Sequence, residues 1–236
     1  MSLPVLQTPV YELNIPSTNE TIKYRPFLVK EYKVLLTMIE ASNDEISRII
    51  KEVISTCTFN KLNTKDLTHF DIEYIFLMLR SRSIGEIVEV QVTCDCGNKI
   101  PTKYNIDDVK IVKDPEHTNM IDLNNDYGIE MMYPKIEDVF NVYGNKKTKV
   151  VDGIINLICN NIKGIYKKDG SSYWGGEDIT KKEKEEFVLS LNQNQFKKLE
   201  LFFKSSPRVV QEIHVQCGVC NKPINKKIEG IGNFFV

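Results

Sequence analysis

The sequence predicts an α+β protein in which a helical bundle is combined with β-hairpins, two of them paired as a zinc-ribbon-like module with four cysteines. Three observations predict it. Stretches with apolar residues three and four apart share the chain with stretches in which every second residue is apolar. Two of the alternating stretches run into close cysteine pairs, Cys94-Asp-Cys96 and Cys217-Gly-Val-Cys220. The chain has 236 residues, 42% hydrophobic and 27% charged, which suits a soluble globular protein long enough to bury a full core.

Taken in order, Val10–Ile15 and Thr21–Tyr24 alternate about Pro16-Ser17-Thr18-Asn19, which predicts a hairpin closed off by Arg25-Pro26. From Leu28 the period becomes helical, with Leu28, Tyr32, Leu35, Leu36 and Ile39 on one face. Ser42-Asn43-Asp44 caps a second helix whose buried stripe is Ile46, Ile49, Ile50, Val53, Ile54 and Cys57. A third begins near Thr68, with Asp71 as its capping partner, and runs through Ile72, Ile75, Phe76 and Leu79 until Gly85 stops it. Val88, Val90, Val92 and Cys94 then share one face of a strand, and 99–104 forms its return.

Short strands are expected over Val109–Val112, Asn119–Leu123 and Tyr127–Tyr133, followed by helices over Lys135–Val142 and Thr148–Ile162, the latter burying Cys159. The turn-rich Lys167–Ser172 and Gly175-Gly176 mark an exposed loop carrying Tyr173 and Trp174. Thr180 with Glu183, and Asn192 with Gln195, are capping boxes for helices over 181–191 and 193–204. After Pro207 the alternation returns at Val209, Ile213, Val215 and Cys217 and comes back through Ile224 and Ile228. The chain is therefore expected as a single compact unit over 1–236. Its parts are an N-terminal hairpin and helices (1–85), a zinc-ribbon-like β module (86–105 plus 207–236) and a central mixed α/β insertion lobe (106–206).

Charge narrows the function. Thirty-one basic residues face thirty-two acidic ones for a net charge of −1, so no global positive field draws the chain to nucleic acid. The opening Met1–Val5 lacks the pattern of a signal peptide, and no apolar run approaches the roughly 20 residues of a spanning helix. A chain that folds in a reducing cytosol is expected, and there paired cysteines read as metal ligands before disulfides.

The two cysteine hairpins share a plan: Val90-Gln-Val92-Thr-Cys94 beside Ile213-His-Val215-Gln-Cys217, each ending in two thiols at its tip. Cys94, Cys96, Cys217 and Cys220 are therefore expected to hold one structural zinc ion, which takes four thiolates in a tetrahedron. The second pair has the usual knuckle spacing, and the first is one residue shorter. His214 falls on the strand face opposite Cys217, and His69 and His117 read as a helix-start and a loop residue. Four thiolates leave no position for a substrate water, and the chain lacks the zincin, phosphate-loop, dinucleotide and nucleophile-elbow motifs, so no catalytic residue and no small-molecule substrate are expected.

Lys181, Lys182 and Lys184 are interleaved with Glu183, Glu185 and Glu186 as a mixed-sign helix surface. Lys222, Lys226 and Lys227 are the better phosphate-binding candidates and support the alternative reading, a zinc-ribbon regulator that binds nucleic acid. Tyr173, Trp174, Phe234 and Phe235 are large apolar groups where solvent is expected, so each pair either anchors a partner protein or folds back to cap the core.

Several stretches resemble one family, the baseplate-hub assembly proteins of T4-like tailed phages. They are Tyr24-Arg-Pro-Phe-Leu-Val-Lys-Glu-Tyr-Lys-Val-Leu-Leu36, Arg80-Ser-Arg-Ser-Ile-Gly-Glu86, Gly164-Ile-Tyr through Glu186-Phe-Val-Leu-Ser-Leu191, Gln195-Phe through Phe202-Phe203, and Ile228-Glu-Gly-Ile-Gly-Asn-Phe-Phe235. No one of them is specific alone, but their order and spacing span nearly the whole chain. The resemblance implies a protein made late in infection in the host cytoplasm that helps build, or joins, the virion baseplate hub beneath the tail tube. It implies baseplate hub and tail-tube initiator proteins as partners, no membrane, and no chemical catalysis. The short first cysteine pair departs from the two-residue spacing expected in both knuckles.

Overall fold

The computed structural model describes residues 6–143 and 150–230. Strands β1 (Tyr11–Asn14) and β2 (Thr21–Tyr24) pair antiparallel with Leu13 opposite Ile22. Asn19 closes their turn with a left-handed backbone, φ 60, a conformation asparagine tolerates better than most residues. Helix α1 (Val29–Leu36) follows, and its buried residues are Glu31 and Leu35.

The sequence-based apolar stripe of this helix is therefore corrected: Leu28, Tyr32 and Leu36 are exposed. The cause is Glu31. Its carboxylate accepts from the Arg25 guanidinium at 2.9 Å and from the Leu28 amide at 2.8 Å. In a helix of only two turns, those bonds set which face turns inward.

Helix α2 (Asn43–Cys57) starts at Ser42, whose side chain and Glu45 cap each other's backbone, and buries Ile49, Ile50, Val53, Ile54 and Cys57. Helix α3 (His69–Ile84) packs on it, begins with the Thr68–Asp71 capping box and ends at Gly85, whose φ of 132 suits glycine. Phe70, Ile72, Ile75, Phe76 and Leu79 of α3 are almost wholly buried. Next come β3 (Ile87–Thr93) and β4 (Lys99–Asn105), paired antiparallel with Val92 opposite Ile100, and then β5 (Lys110–Val112).

The middle of the chain supplies β6 (Met120–Asp122), β7 (Tyr127–Met131), α4 (Ile136–Tyr143), α5 (Val150–Asn160), β8 (Ile162–Lys167), β9 (Tyr173–Gly175), α6 (Lys181–Leu189) and α7 (Gln193–Ser205). Its sheet runs β6-β7-β8-β9, and Ile129, Ile158, Ile162, Leu199 and Phe202 form its core. Two expectations are corrected here. Helix α5 stops at Asn160, because Ile162 already pairs with Met131 as the start of a strand. Tyr173 and Trp174 stand on β9, not in a loop: the turn through Gly170, at φ 76, folds 173–175 back onto β8 as a hairpin.

Strands β10 (Arg208–Gln216) and β11 (Pro223–Glu229) complete a sheet of order β11-β10-β5. The chain divides into two compact units: the described residues up to Val112 together with those from Arg208 on, and Lys113–Pro207. Both cysteine pairs belong to the first.

Candidate metal centre

The β3–β4 tip closes where the Cys94 amide donates to the Asn98 carbonyl at 2.9 Å and the Gly97 amide to the Cys94 carbonyl at 2.8 Å. The β10–β11 tip closes likewise, with the Cys217 amide on the Lys222 carbonyl and the Asn221 amide on the Cys217 carbonyl, both at 2.9 Å. Each tip turns back through a residue of positive φ, Gly97 at 85 and Asn221 at 56, placed just after the second cysteine. The first pair thus has one residue between its cysteines where the second has two, and keeps the same return turn.

Four sulfurs converge. Cys94 Sγ lies 3.6 Å from Cys220 Sγ, and Cys96 Sγ 3.7 Å from Cys217 Sγ. All four lie within 4.8 Å of one another, and all are free thiols. An ion bound tetrahedrally at about 2.3 Å from each sulfur needs sulfurs about 3.8 Å apart, so the set is of a size to hold a metal ion. The group is sealed on one side only: Cys217 and Cys94 are buried, Cys220 is half-buried and Cys96 is exposed.

The backbone prepares the sulfurs unequally. The amides of Cys220 and Val219 point at the Cys217 thiol, and with the Asn98 side chain they hold it at about 6 against the opposing effect of burial. At Cys94 the Cys96 amide pulls down, but desolvation and hydrogen bonds with the other three thiols outweigh it and push that thiol to about 12. The surroundings thus favour thiolate at Cys217 and oppose it at Cys94, where a metal ion would have to displace the proton.

Asn98 was not legible as part of this site. Its side-chain amide donates to Cys217 Sγ at 3.5 Å, from the far hairpin. A lone Asn after Cys-Gly reads as turn chemistry, and only the facing of the two tips gives it this role. His214 stays outside, exposed and hydrogen-bonded to Asn225 at 2.8 Å.

Cys57 and Cys159 are core residues whose burial raises their thiols, Cys57 to about 11. Tyr173 and Trp174 are exposed on the second unit's sheet, where the Tyr173 hydroxyl donates to Glu130 at 2.9 Å and Trp174 lies beside Tyr127. Phe234 and Phe235 lie outside the described residues. Of the lysines weighed for phosphate, Lys227 pairs with Glu212 at 3.2 Å. No helix among the described residues is long and apolar enough to cross a membrane.

Among known proteins, a family model described as T4 bacteriophage base plate protein matches residues 8–236. No curated protein and no solved structure gives a match.

Proposed function

Because the chain belongs to the T4 bacteriophage base plate protein family, we propose that it assembles or forms part of the baseplate hub by binding hub and tail-tube initiator proteins. Membership itself gives a structural role in the phage baseplate, binding to other baseplate proteins and a place in the virion baseplate. The observation that carries the reading is the extent of the match, residues 8–236, which takes in both cysteine tips and both compact units.

In this reading the chain is a late protein that works in the host cytoplasm while the hub is built. Its work is docking. A partner is ordered at lower cost when the surface it meets is already rigid. We assign the rigidity of the two hairpin tips to a zinc ion on Cys94, Cys96, Cys217 and Cys220, forming a zinc-ribbon-like pair of knuckles. What supports zinc is the donor set: four thiolates suit a soft-to-borderline ion, and a filled shell makes the site structural rather than catalytic. A structural zinc contributes about 10 to 16 kcal/mol in small peptides, comparable to the stability of a whole domain. Tyr173 and Trp174 on β9, and Phe234 and Phe235, are proposed as partner anchors.

The experiment is an affinity-tagged copy expressed during infection, with mass spectrometry of its complexes and of purified virions. Recovery with hub and tube-initiator proteins is expected. A chain found with neither, and absent from virions, would end the hub reading.

A further inference from the structure

Away from the sulfurs, the same two hairpins border a groove of about 590 Å³ that runs between Glu89–Val92 of β3 and Lys226–Ile228 of β11. Both strands are sheet edges: among the described residues β3 pairs only with β4, and β11 only with β10. Open edges carry unpaired donors and acceptors and invite another strand.

The pairing parity says which backbone groups are open. The Cys94 amide bonds the Asn98 carbonyl and the Ile106 amide bonds the Glu86 carbonyl, so the even-numbered residues of β3 exchange hydrogen bonds with β4. Glu89 and Gln91 therefore turn their N–H and C=O groups away from β4. On β11 the Cys217–Lys222 bond fixes the even residues as the ones bonded to β10, and Lys227 turns outward. Pro101 and Pro223, which have no N–H to give, fall opposite Gln91 and Gln216, in the pairs that need none.

Side chains add selectivity. Val90, Val92 and Ile228 give the groove an apolar lining, and Val92 and Ile228 are only 1% and 8% exposed. Glu89 is matched by Lys103 at 2.6 Å and Lys227 by Glu212 at 3.2 Å. Lys226 alone among the charged side chains at the groove has no ion pair among the described residues. A carboxylate on a segment that fills the groove finds there a cation with no ion-pair partner among the described residues.

We propose that this groove takes an extended, carboxylate-bearing segment of another baseplate protein as a strand added between β3 and β11. Its carboxylate meets Lys226, its apolar side chains lie over Val90 above the buried Val92 and Ile228, and its backbone bonds Glu89, Gln91 and Lys227. The proposal rests on the reading of the chain as a baseplate-binding protein and names the surface. The four-sulfur site stands where both strands meet their tips, Thr93 preceding Cys94 and Cys220 lying just before Pro223, so it sets the spacing between the two edges.

The test titrates short overlapping synthetic peptides, covering the other baseplate proteins of the same phage, against the full-length metal-loaded chain by fluorescence anisotropy. A peptide with Asp or Glu in an alternating apolar run is expected to bind and to protect the Glu89, Gln91 and Lys227 amides from exchange. Lys226→Glu should weaken it by roughly tenfold or more. Gln91→Pro, with its fold checked by circular dichroism, should abolish it.

Unchanged affinity in Lys226→Glu, or protection at other amides, overturns the proposal. So does protection of Glu89 and Gln91 in the free chain, which means an occupant from its own sequence if the chain is monomeric, or a second copy if sedimentation shows a dimer. If no peptide binds although the chain enters baseplates, the groove proposal falls and the baseplate reading stands. If the chain neither joins baseplates nor is recovered with baseplate proteins, both fall.

Discussion

Asn98 and Cys217, on different hairpins, are joined by a hydrogen bond from side-chain amide to sulfur at 3.5 Å. Such a bond stabilises the thiolate and aims it, as partners around metal ligands commonly do. Asn98→Ala is expected to weaken metal binding about tenfold, read by competition with a chromophoric chelator. Affinity equal to the parent chain would deprive the bond of that role.

Replacing any of Cys94, Cys96, Cys217 or Cys220 by Ser should abolish metal binding at the proposed zinc site and lower stability by several kcal/mol, since binding free energy at such a site is folding free energy. Cys159→Ala, in the second unit's core, should leave the metal content unchanged. Elemental analysis beside thermal unfolding distinguishes the two classes. Chelation of the parent chain should reproduce the Ser variants.

Arg25 and Glu31 form a buried ion pair at 2.9 Å, with side chains 11% and 7% exposed. Burial pushes the Glu31 carboxyl up, but Arg25 and the Leu28 amide outweigh it, and the net shift is downward from 4.5. A carboxyl depressed in the folded state contributes stability that is complete above its unfolded value and lost as pH falls through its folded one. Glu31→Gln is therefore expected to cost about 3 kcal/mol at neutral pH, with the difference from the parent chain shrinking only below about pH 4.5. Urea titrations across that range provide the check.

Asp71 is 0% exposed and accepts from the Ser17 amide at 2.9 Å and from the Thr68 amide and hydroxyl at 3.0 and 2.6 Å. It caps α3 and pins the first hairpin to it. Asp71→Ala should cost about 2 to 3 kcal/mol, more than a surface cap alone. A loss no greater than about 0.5 kcal/mol would show that the hairpin is held by other groups.

His117 packs against both Tyr133 and Phe202, with Nδ1 2.8 Å from the Ser205 hydroxyl. Ser205 donates to the Leu201 carbonyl, so Nδ1 is the donor toward Ser205 and the buried Nε2 is bare. Burial first, and the Lys113 charge second, lower its titration from 6.5. The unfolded chain thus takes up this proton more readily, and stability falls as pH drops from about 6.5 through the folded value. His117→Phe should flatten that part of the stability profile, measured by urea unfolding between about pH 7 and pH 5.

Much of the architecture is legible because it follows from local chemistry. Thr68 with Asp71, Thr180 with Glu183 and Asn192 with Gln195 announce helix starts that the structure keeps. The two cysteine tips show in the alternation that leads into them, and the sulfurs do converge. What escaped depends on distant partners. Nothing local says that Glu31 will turn inward to Arg25 and leave Tyr32 and Leu36 in solvent. Ile162–Lys167 and Tyr173–Gly175 are short, and glycine and lysine in the first and glycine in the second blur the alternation until their partners, β7 for the first and β8 for the second, are in place. Asn98 shows no sign of its sulfur partner before the tips face each other.

Val112 and Arg208 stand directly opposite each other on β5 and β10. The chain therefore departs from the first unit and rejoins it at a single doorway, with all of Lys113–Pro207 threaded between. A cassette hung on such a doorway can be trimmed or exchanged by recombination without redrawing the scaffold. A chain whose 113–207 stretch is replaced by a tight turn is expected to keep the four sulfurs of the first unit together, and with them the proposed metal site.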